Sequence, residues 1–344
     1  MIIIHIESGL GNQMLTYLEY LAIKQTHQNE KIFFESIVYE IDEACKTINM
    51  WNGYELDKVF NINVPNIKEL FSLDEWNLII KEVKNTKFWK SNWSWDKGIY
   101  SVLKKHGLEI EKNFCYSQGL PNKGKKEKWF KKVLNGYPYA YFVRYRDLYR
   151  YKSTYKLDHS SDLFYSKENN FYCGHTLKFK NINYGIEKLV DDINESFKFD
   201  KLDDKNIEFG NRLEQLNAVA IHARRGDMLN FNGVYYKNGY FKRALNIIKK
   251  NTTKELVYVF FSDTGSIEWC KDNLKKFGIN KNDTVLFVDW NKGMEAYKDM
   301  YLISKCKYNI ITCSTFGWWG SFFNNHFDKI TVSPYSLANT THHA

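Results

Sequence analysis

The second half of the chain alternates short apolar runs with segments of helical periodicity, and this alternation restricts the fold more than any other feature. Five runs have the continuity of strands covered on both faces: residues 218–222, 256–261, 285–288, 309–313 and 330–332. Apolar side chains recur at helical spacing in three segments between these runs: residues 238–250, 266–277 and 294–305. Right-handed crossovers join strands and helices that alternate in this way. The pattern therefore predicts an α/β fold built on a parallel, doubly wound sheet.

The first half begins with the same pattern and then loses it. A strand, a turn, a helix and a second strand are predicted, in that order, at residues 2–6, 9–11, 13–25 and 31–34. After residue 40 the sequence becomes aromatic and basic, without clear periodicity, up to a polar passage near residue 200. We therefore expect two Rossmann-like, doubly wound domains that face each other across a cleft, residues 1–205 and residues 206–344.

The composition limits the compartment and the class of partner. Of the 344 residues, 44% are hydrophobic and 26% charged, as in ordinary soluble domains, and no apolar run reaches the ~18 residues of a membrane-spanning helix. The net charge of +9 suits a negatively charged ligand or an anionic membrane surface. The six cysteines contain no Cys-x-x-Cys pair, and no basic leader precedes residues 2–6. These features predict a cytoplasmic protein with reduced thiols.

The strongest local signal for function follows the run at residues 218–222. His222, Arg224, Arg225 and Asp227 stand at the carboxyl end of a predicted strand, where parallel α/β sheets bind their ligands. Guanidinium groups offer the forked donors that phosphate binds. One arginine can face a ligand while a carboxylate holds the other, and we expect Asp227 to hold Arg225 in this way. The alternative is a solvated turn with a structural ion pair.

Polar residues follow two further predicted strands. Ser262 and Asp263 either cap the next helix or place a carboxylate where it accepts two hydrogen bonds from the N–H edge of guanine, an edge that adenine lacks. Ser314 and Thr315 stand at a helix start, where hydroxyl groups and backbone N–H groups form an anion site. The aromatic residues that follow are more typical of a core than of a ligand platform; they are Phe316, Trp318 and Trp319.

A glycine pair follows the first predicted strand. Gly9 and Gly11 precede Asn12 and Gln13, and this composition lets backbone and amide donors approach a ligand. Met14 stands where a Gly-x-Gly-x-x-Gly fingerprint requires glycine, and no Gly-Lys-Ser/Thr follows. The segment is therefore neither a Rossmann dinucleotide fingerprint nor a P-loop. A plain turn explains the glycine pair equally well.

In this order, the four motifs resemble the α-1,2-fucosyltransferases of glycosyltransferase family 11. The resemblance extends over about residues 1–35 and nearly all of residues 216–337, and it includes the Glu268-Trp269-Cys270-Lys271 segment. It implies a GT-B-like fold, with GDP-L-fucose bound mainly by the C-terminal domain and a galactose-terminated glycan as the acceptor. The chain departs from the family pattern at Thr264, where many bacterial members have a second acidic residue, and at Gly317, where many have serine.

The resemblance also implies roles at the diphosphate of the donor. Arg224 would clamp the β-phosphate, and Arg225 would belong to the donor site as a support behind Arg224 or as a structural residue. Ser314 and Thr315 would hold phosphate oxygens. Asn12 would face the leaving diphosphate from the other domain.

For the remainder of the donor site, the resemblance implies a nucleoside end and two supporting residues. His222 and Asp263 would lie near guanine. Phe316 and Gly11 would complete the site. Inversion would convert the β-linked donor into an α-linked product.

Fucosyl transfer makes negative charge grow on the departing diphosphate, so cations or hydrogen-bond donors are needed there. Many transferases use a divalent metal held by an Asp-x-Asp pair, which this sequence lacks. We therefore expect no metal and no other cofactor, with Arg224 and the helix start at Ser314 supplying the positive charge. Asp227 and Glu7 are the candidates for a general base. The predicted reaction is transfer of L-fucose to the 2-hydroxyl of a β-galactoside, in the synthesis of O-antigen or another bacterial surface polysaccharide.

Three other functions fit parts of the pattern. An α-1,6-fucosyltransferase or another GDP-sugar transferase would share the Arg-Arg motif, although residues 314–320 favour the α-1,2 group. A non-catalytic glycan-binding protein would not need Arg224. A nucleic-acid binder would use the net charge, but the lysines are scattered and no recognition module is present.

Two segments of the middle region have both a structural and a functional interpretation. The Trp-rich residues 76–95 would stack on acceptor sugars or, more typically, form a core. The basic residues 123–128 are typical of a solvated run. A lipid-linked acceptor would instead bring that run to the anionic inner face of a membrane, as a peripheral contact.

Overall fold

The computed structural model of the protein describes residues 1–47, 51–91, 93, 96–110, 112–115, 170–173 and 186–334. Contacts divide the chain into two compact units. The first unit contains Met1–Ile6, Thr16–Ile41 and Val64–Glu187. The second unit contains Glu7–Leu15, Asp42–Asn63 and Lys188–Ala344. The second unit thus includes two stretches from the first half of the chain, which no pattern in the sequence indicated.

The first unit is built on a four-stranded parallel sheet in the order β2-β1-β4-β3. Its strands are β1 (Ile2–His5), β2 (Ile32–Glu35), β3 (Lys112–Cys115) and β4 (Asn170–Cys173). Its described helical segments are the later turns of Leu10–Thr26, then Ile37–Glu40, Ile67–Leu70, Leu73–Thr86, Phe88–Lys90, Asp96–Tyr100, Ser101–Lys105 and Ile186–Lys188. The two strands predicted in this region are confirmed, and β1 is buried along its whole length.

Two of the three tryptophans of residues 76–95 that the structure describes belong to the core of the first unit, whereas Trp93 is half-buried, with its ring centroid 6.0 Å from that of Phe88. Trp76 and Trp89 are both buried. The indole Nε1 of Trp76 donates a hydrogen bond to Oε2 of Glu40 at 3.0 Å. The core interpretation is confirmed for these two residues. Three other features of the sequence lie outside the described residues: Trp95, Trp129 and the basic residues 123–128.

The second unit is built on a five-stranded, all-parallel sheet in the order β7-β6-β5-β8-β9. Its strands are β5 (Ala218–Ala223), β6 (Val257–Ser262), β7 (Thr284–Val288), β8 (Tyr308–Ile310) and β9 (Ile330–Val332). Its described helices are Asp42–Cys45, Leu56–Phe60, Val190–Ser196, Asp204–Glu214, Leu229–Lys237, Tyr240–Lys250, Ile267–Asp272, Leu274–Phe277, Gly293–Glu295, Tyr297–Lys305 and Thr315–Phe322. Leu10–Thr26 also starts in this unit.

Helices cover both faces of this sheet, as the continuous apolar runs predicted. Successive residues of a strand point to opposite faces. Val219 and Ile221 of β5 pack in one apolar cluster with the helix Tyr240–Lys250. Ala220 packs in a second cluster with the helix Tyr297–Lys305. The predicted α/β fold is confirmed.

Two element boundaries differ from the prediction because of contacts that are distant in sequence. The helix Leu10–Thr26 begins inside the glycine pair and not after a turn, since the side chain of Glu55 accepts a hydrogen bond from its first N–H. β8 ends at Ile310, three residues earlier than predicted, since its neighbour β9 ends at the paired residue Val332.

Two helices of the second unit were also predicted incompletely. The helix expected at residues 266–277 is interrupted at Asn273, whose Nδ2 donates to the carbonyl oxygen of Trp269 at 2.8 Å. Such side-chain bonds compete with the regular helical pattern. The helix Leu229–Lys237 was not predicted at all. Its sequence contains Asn and Gly, which are poor helix formers.

Two of the described cysteines, Cys270 and Cys306, are free thiols. Cys270 is fully buried, and burial raises the pKa of its thiol to about 12. In the part of the chain that the structure describes, no helix has both the length and the apolar character to cross a bilayer.

A buried polar network joins the helices Asp204–Glu214 and Tyr297–Lys305. Nδ2 of Asn291 donates to Oδ1 of Asp299 and to Oδ1 of Asn206, both at 2.8 Å. Burial raises the pKa of the Asp299 carboxyl group to about 8, against the opposing effect of the hydrogen bond from Asn291. The folded protein therefore keeps this carboxyl group protonated to a higher pH than the unfolded chain does.

We expect Asp299→Asn to remove a loss of stability at alkaline pH. An unfolded aspartate has a pKa of ~3.9, so the folded state binds the proton more tightly between about pH 4 and pH 8. The stability that this group contributes therefore falls as the pH rises through that range. At pH 8.5 the free energy of unfolding of the variant should exceed that of the wild type by ~1 kcal/mol or more, and at pH 5 by much less.

Thermal unfolding at the two pH values measures this difference. Asp272→Asn, at an exposed position, is the matched control and should shift the midpoint equally at both. A change in Asp299→Asn that is independent of pH would contradict the expectation.

Candidate functional site

The guanidinium group of Arg224 lies between two carboxylates directly after β5. Nη1 is 2.7 Å from Oδ1 of Asp263, and Nη2 is 2.9 Å from Oδ1 of Asp227. The Asp263 side chain is 1% exposed, whereas those of Asp227 and Arg224 are 32% and 21% exposed. The guanidinium group is therefore fixed on its buried side and accessible on the side of Asp227.

The expectation that Asp227 holds Arg225 is wrong, because the ion pair of Asp227 is with Arg224. The guanidinium carbon of Arg225 lies 3.4 Å from the ring centroid of Trp269 and 4.9 Å from that of Tyr236. A weakly hydrated, planar cation binds aromatic faces in this way. The Arg225 side chain thus points towards the helices Leu229–Lys237 and Ile267–Asp272, which carry these two rings. This direction agrees with a structural role.

Asp263 does not cap the helix that follows it. Its Oδ2 accepts a hydrogen bond from the backbone N–H of Arg225 at 2.6 Å, in addition to the ion pair with Arg224. Ser266 precedes the helix Ile267–Asp272, and its N–H donates to the carbonyl oxygen of Asp263, not to the carboxylate. Oγ of Ser262 donates to the carbonyl oxygen of Ala223 at 2.7 Å. The capping interpretation is therefore wrong. A contact of Asp263 with guanine stays a prediction.

The backbone of Arg224 is held by the helix that the sequence did not reveal. Its carbonyl oxygen accepts from Nδ2 of Asn232 and from the hydroxyl group of Tyr236, both at 3.0 Å. Both donors lie on the helix Leu229–Lys237, four residues apart and so on one face. The Asn-x-x-x-Tyr spacing after the Arg-Arg motif was the one sequence signal for this contact.

His222 is a buried, neutral histidine at the same strand end. Burial, with a smaller contribution from the positive charge of Arg224, lowers its pKa to about 3. Its ring stacks on Phe316, with centroids 5.8 Å apart. Its Nδ1 is buried and has no hydrogen-bond partner among the described residues. A methyl group added at Gly317 would overlap Nδ1 of this imidazole, so a side chain there would force the ring to move.

The first turns of two helices meet beside His222, and both belong to the second unit. A methyl group added at Gly11 would lie 2.7 Å from Oγ1 of Thr315 and 2.8 Å from the backbone nitrogen of Phe316. Nε1 of Trp319 donates to the carbonyl oxygen of Gly11 at 2.9 Å. Trp319 is fully buried, which confirms its predicted place in the core.

The two helix starts differ in how many N–H groups they leave for a ligand. In the first, Leu10 N–H donates to Glu55, and the N–H groups of Asn12 and Gln13 donate to the carbonyl oxygen of Gly9. In the second, the side chain of Ser314 does not cap the helix Thr315–Phe322. First-turn N–H groups have no acceptor inside their own helix. The Thr315 helix is therefore the better anion site of the two. The role of Asn12 at the diphosphate stays a prediction.

The model of the family described as Glycosyl transferase family 11 matches residues 135–344, more than half of the chain. The chain belongs to glycosyl transferase family 11. The predicted resemblance to this family is confirmed.

This family-11 chain is similar in sequence to three curated proteins. The O-antigen biosynthesis glycosyltransferase WbnK of Escherichia coli is 34% identical over 35% of this chain and 39% of its own length. The alpha-1,2-colitosyltransferase of Escherichia coli is 33% identical over 34% of this chain and 40% of its own length. The galactoside alpha-(1,2)-fucosyltransferase 2 of Rattus norvegicus is 28% identical over 36% of this chain and 34% of its own length. The chain thus spans two fifths or less of each of these relatives.

Carboxylates, histidines and thiols are scattered in the described part of this family-11 chain. Among those residues, no three His, Cys, Asp or Glu side chains come together closely enough to hold a metal ion. The imidazole of His222 lies against Phe316 and Gly317 in the first turn of the Thr315 helix, and the positive charge of Arg224 acts on that imidazole. That set suits an anion.

If Asp263 acts through Arg224 alone, Asp263→Asn should weaken the binding of GDP and of inorganic pyrophosphate by the same factor, roughly tenfold. The amide keeps the shape of the side chain but removes the charge that fixes Arg224, so the loss should not depend on a nucleobase. Titration calorimetry with both ligands measures the two affinities. A loss confined to GDP would instead assign Asp263 to guanine.

Proposed function

We propose that this chain transfers L-fucose from GDP-β-L-fucose to the 2-hydroxyl of a β-galactoside, with inversion and without a metal. The observation that supports it most is the group formed at the end of β5. There, neutral His222 lies against Gly317 in the first turn of Thr315–Phe322, Gly11 lies against Thr315, and the positive charge of Arg224 acts on His222. The two units described above are compatible with a GT-B-like fold, in which the C-terminal residues 206–344 bind the donor.

The main task of this site is to stabilise charge on the departing diphosphate. The guanidinium of Arg224 supplies a forked donor for the β-phosphate, and the helix start at Ser314 and Thr315 supplies oriented N–H groups. Asp263 holds the buried side of the guanidinium before the donor binds, so the contact with Asp227 is the part of the ion-pair arrangement that has to change. Phosphate competes with Asp227 for Nη2 of Arg224, since Asp227 is the more exposed of its two carboxylates.

His222 contributes a neutral imidazole beside the donor. With its pKa lowered to about 3, it adds no positive charge near neutral pH and acts through hydrogen bonds. We assign His222 to the guanosine side of the donor, with Phe316 stacked on its ring. Asp227 and Glu7 remain our candidates for the base that accepts the proton of the attacking hydroxyl group.

The names of the relatives suggest the setting of the reaction. The WbnK relative is named for O-antigen biosynthesis and the rat relative for galactoside α-(1,2)-fucosyl transfer. We propose a galactose-terminated glycan of a bacterial surface polysaccharide as the acceptor. A lipid-linked form of that glycan would be reached at the inner face of the membrane. The relative named for α-1,2-colitosyl transfer makes a colitose donor the second candidate.

A donor screen tests the proposal. Hydrolysis of GDP-fucose, GDP-colitose, GDP-mannose, UDP-galactose and ADP-heptose is compared with and without EDTA. We expect GDP-fucose to be hydrolysed fastest, and its hydrolysis to be unaffected by EDTA. Transfer to lactose, with the linkage determined by NMR, then tests the acceptor. Preference for another nucleotide, or an activity abolished by EDTA and restored by a metal, would refute the corresponding part.

A further inference from the structure

Glu55 is a buried carboxylate that the sequence did not indicate and that the proposed reaction does not use. Its side chain spans two donors of the second unit. Oε2 accepts from the backbone N–H of Leu10 at 3.2 Å, and Oε1 accepts from Nδ2 of Asn52 at 3.2 Å. Asn52 Nδ2 also donates to the carbonyl oxygen of Gly293 at 3.0 Å. Glu55 thus caps the helix that begins in the glycine pair.

Gln13 fastens the same turn from the helix itself. Its Oε1 accepts from the backbone N–H of Glu55 at 2.8 Å, and its Nε2 donates to the carbonyl oxygens of Ser8 and Gly53 at 2.9 Å and 2.8 Å. Ser8 has a φ of 73°, a conformation that is costly for a residue with a side chain. Such a conformation persists where its surroundings fix it. We call Gln13, Asn52 and Glu55 the clasp.

The turn that the clasp holds ends at the contact between the two helix starts. Gly11 follows the capped Leu10 directly and has no space for a methyl group against Thr315. Its carbonyl oxygen is fixed by Nε1 of Trp319. A shift of the turn by a few tenths of an ångström would therefore move Gly11 into or away from the N–H groups of the Thr315–Phe322 helix.

We propose that Glu55 is a positioning residue for the diphosphate of the donor, which acts by holding Gly11 against the first turn of the Thr315 helix. This inference rests on the proposed function of the same site. Glu55 touches neither the donor nor the reacting atoms. Its effect is expected in donor binding, not in the chemical step.

The charge state of Glu55 provides a readout that a structural role would not change. Burial raises the pKa of Glu55 to about 7, against the hydrogen bonds from Asn52 and Leu10 and the positive charge of Lys58. Both hydrogen-bond partners are donors, so protonation removes one acceptor and loosens the clasp. Protonation also removes a negative charge that would repel a diphosphate. If Glu55 positions Gly11, acid therefore weakens donor binding. If Glu55 only repels the diphosphate, acid strengthens donor binding.

The test compares Glu55→Gln with the wild type in the full chain, using GDP-fucose for kinetics and GDP for calorimetry. At pH 8 we expect the variant to raise KM for GDP-fucose and Kd for GDP roughly tenfold, with kcat within about threefold. In the wild type, KM should rise as the pH falls from 8 to 6, and the variant should show no such dependence.

Glu75→Gln is the matched control. Glu75 accepts from the backbone N–H of Ser72 at 3.1 Å in the capping box of the helix Leu73–Thr86, in the first unit. It should leave KM, kcat and the pH profile unchanged. If Glu55→Gln does not fold, Asn52→Ala takes its place in the test, because it removes one hydrogen-bond donor from the clasp. We expect a smaller rise in KM for this variant.

Three results would overturn the proposal. In the first, Glu55→Gln has the same KM as the wild type. In the second, the KM of the wild type falls on acidification, and in the third, Glu55→Gln loses only kcat. Failure of the proposed function is recognised separately. In that case the wild type itself neither hydrolyses GDP-fucose nor transfers from it. An active wild type with an unchanged Glu55→Gln variant refutes only the positioning role.

Discussion

Arg224→Lys is expected to lower kcat/KM for GDP-fucose by roughly 100-fold. Two N–H edges of the guanidinium now reach Asp263 and Asp227 at 2.7 Å and 2.9 Å. An ammonium group is a compact charge without the planar fork, so it cannot span the two separated positions that Nη1 and Nη2 of Arg224 occupy. Asp263, 1% exposed, would keep the lysine, and the diphosphate would lose its forked donor.

Steady-state kinetics with GDP-fucose and calorimetry with GDP measure the effect of this substitution. Arg243→Lys is the matched control, since Arg243 is exposed and donates to the carbonyl oxygen of Asn238 away from the site. It should keep wild-type activity. A near-normal kcat/KM in Arg224→Lys would show that a positive charge is enough at this position and that the forked hydrogen bonds of the guanidinium to the β-phosphate are not needed.

The placement of Arg224 was predictable, whereas its partners were not. Continuous apolar residues fixed β5, and the end of a parallel strand is a ligand site in any α/β sheet. Which carboxylate meets which arginine depends on side-chain directions at the strand end. There, Arg225 gains more from the faces of Trp269 and Tyr236 than from an exposed carboxylate.

The supporting elements were hidden for a different reason. The helix Leu229–Lys237 has weak intrinsic propensity and is stabilised by Asn232 and Tyr236 bonding the carbonyl oxygen of Arg224. The clasp joins Gln13 to residues about forty positions later in the chain. Hydrophobic periodicity reports only on near neighbours, so it indicated neither contact, and only the Asn-x-x-x-Tyr spacing pointed to the first of them. At the helix Leu229–Lys237 and at the turn held by the clasp, tertiary contacts decide the local structure and intrinsic helix propensity does not.

Gly11→Ala is expected to raise KM for GDP-fucose and Kd for GDP by at least ~30-fold. Alanine is the better helix former by ~1 kcal/mol, and Gly11 lies in the first turn of Leu10–Thr26, so local propensity alone would favour the variant. The added methyl group, however, would lie 2.8 Å from the backbone nitrogen of Phe316 and 2.9 Å from the carbonyl carbon of Thr315. Backbone atoms cannot rotate away, so one helix start must move.

Gly9→Ala separates this steric effect from the general cost of changing a glycine, because no atom lies within 4 Å of a methyl group there. Its KM should stay within about threefold of wild type. Thermal unfolding of both variants shows whether the overlap at Gly11 also destabilises the fold. If Gly11→Ala binds GDP as tightly as Gly9→Ala does, the contact between the two helix starts plays no part in holding the diphosphate. The donor must then be bound by Arg224 and the Thr315 helix without the help of the glycine pair.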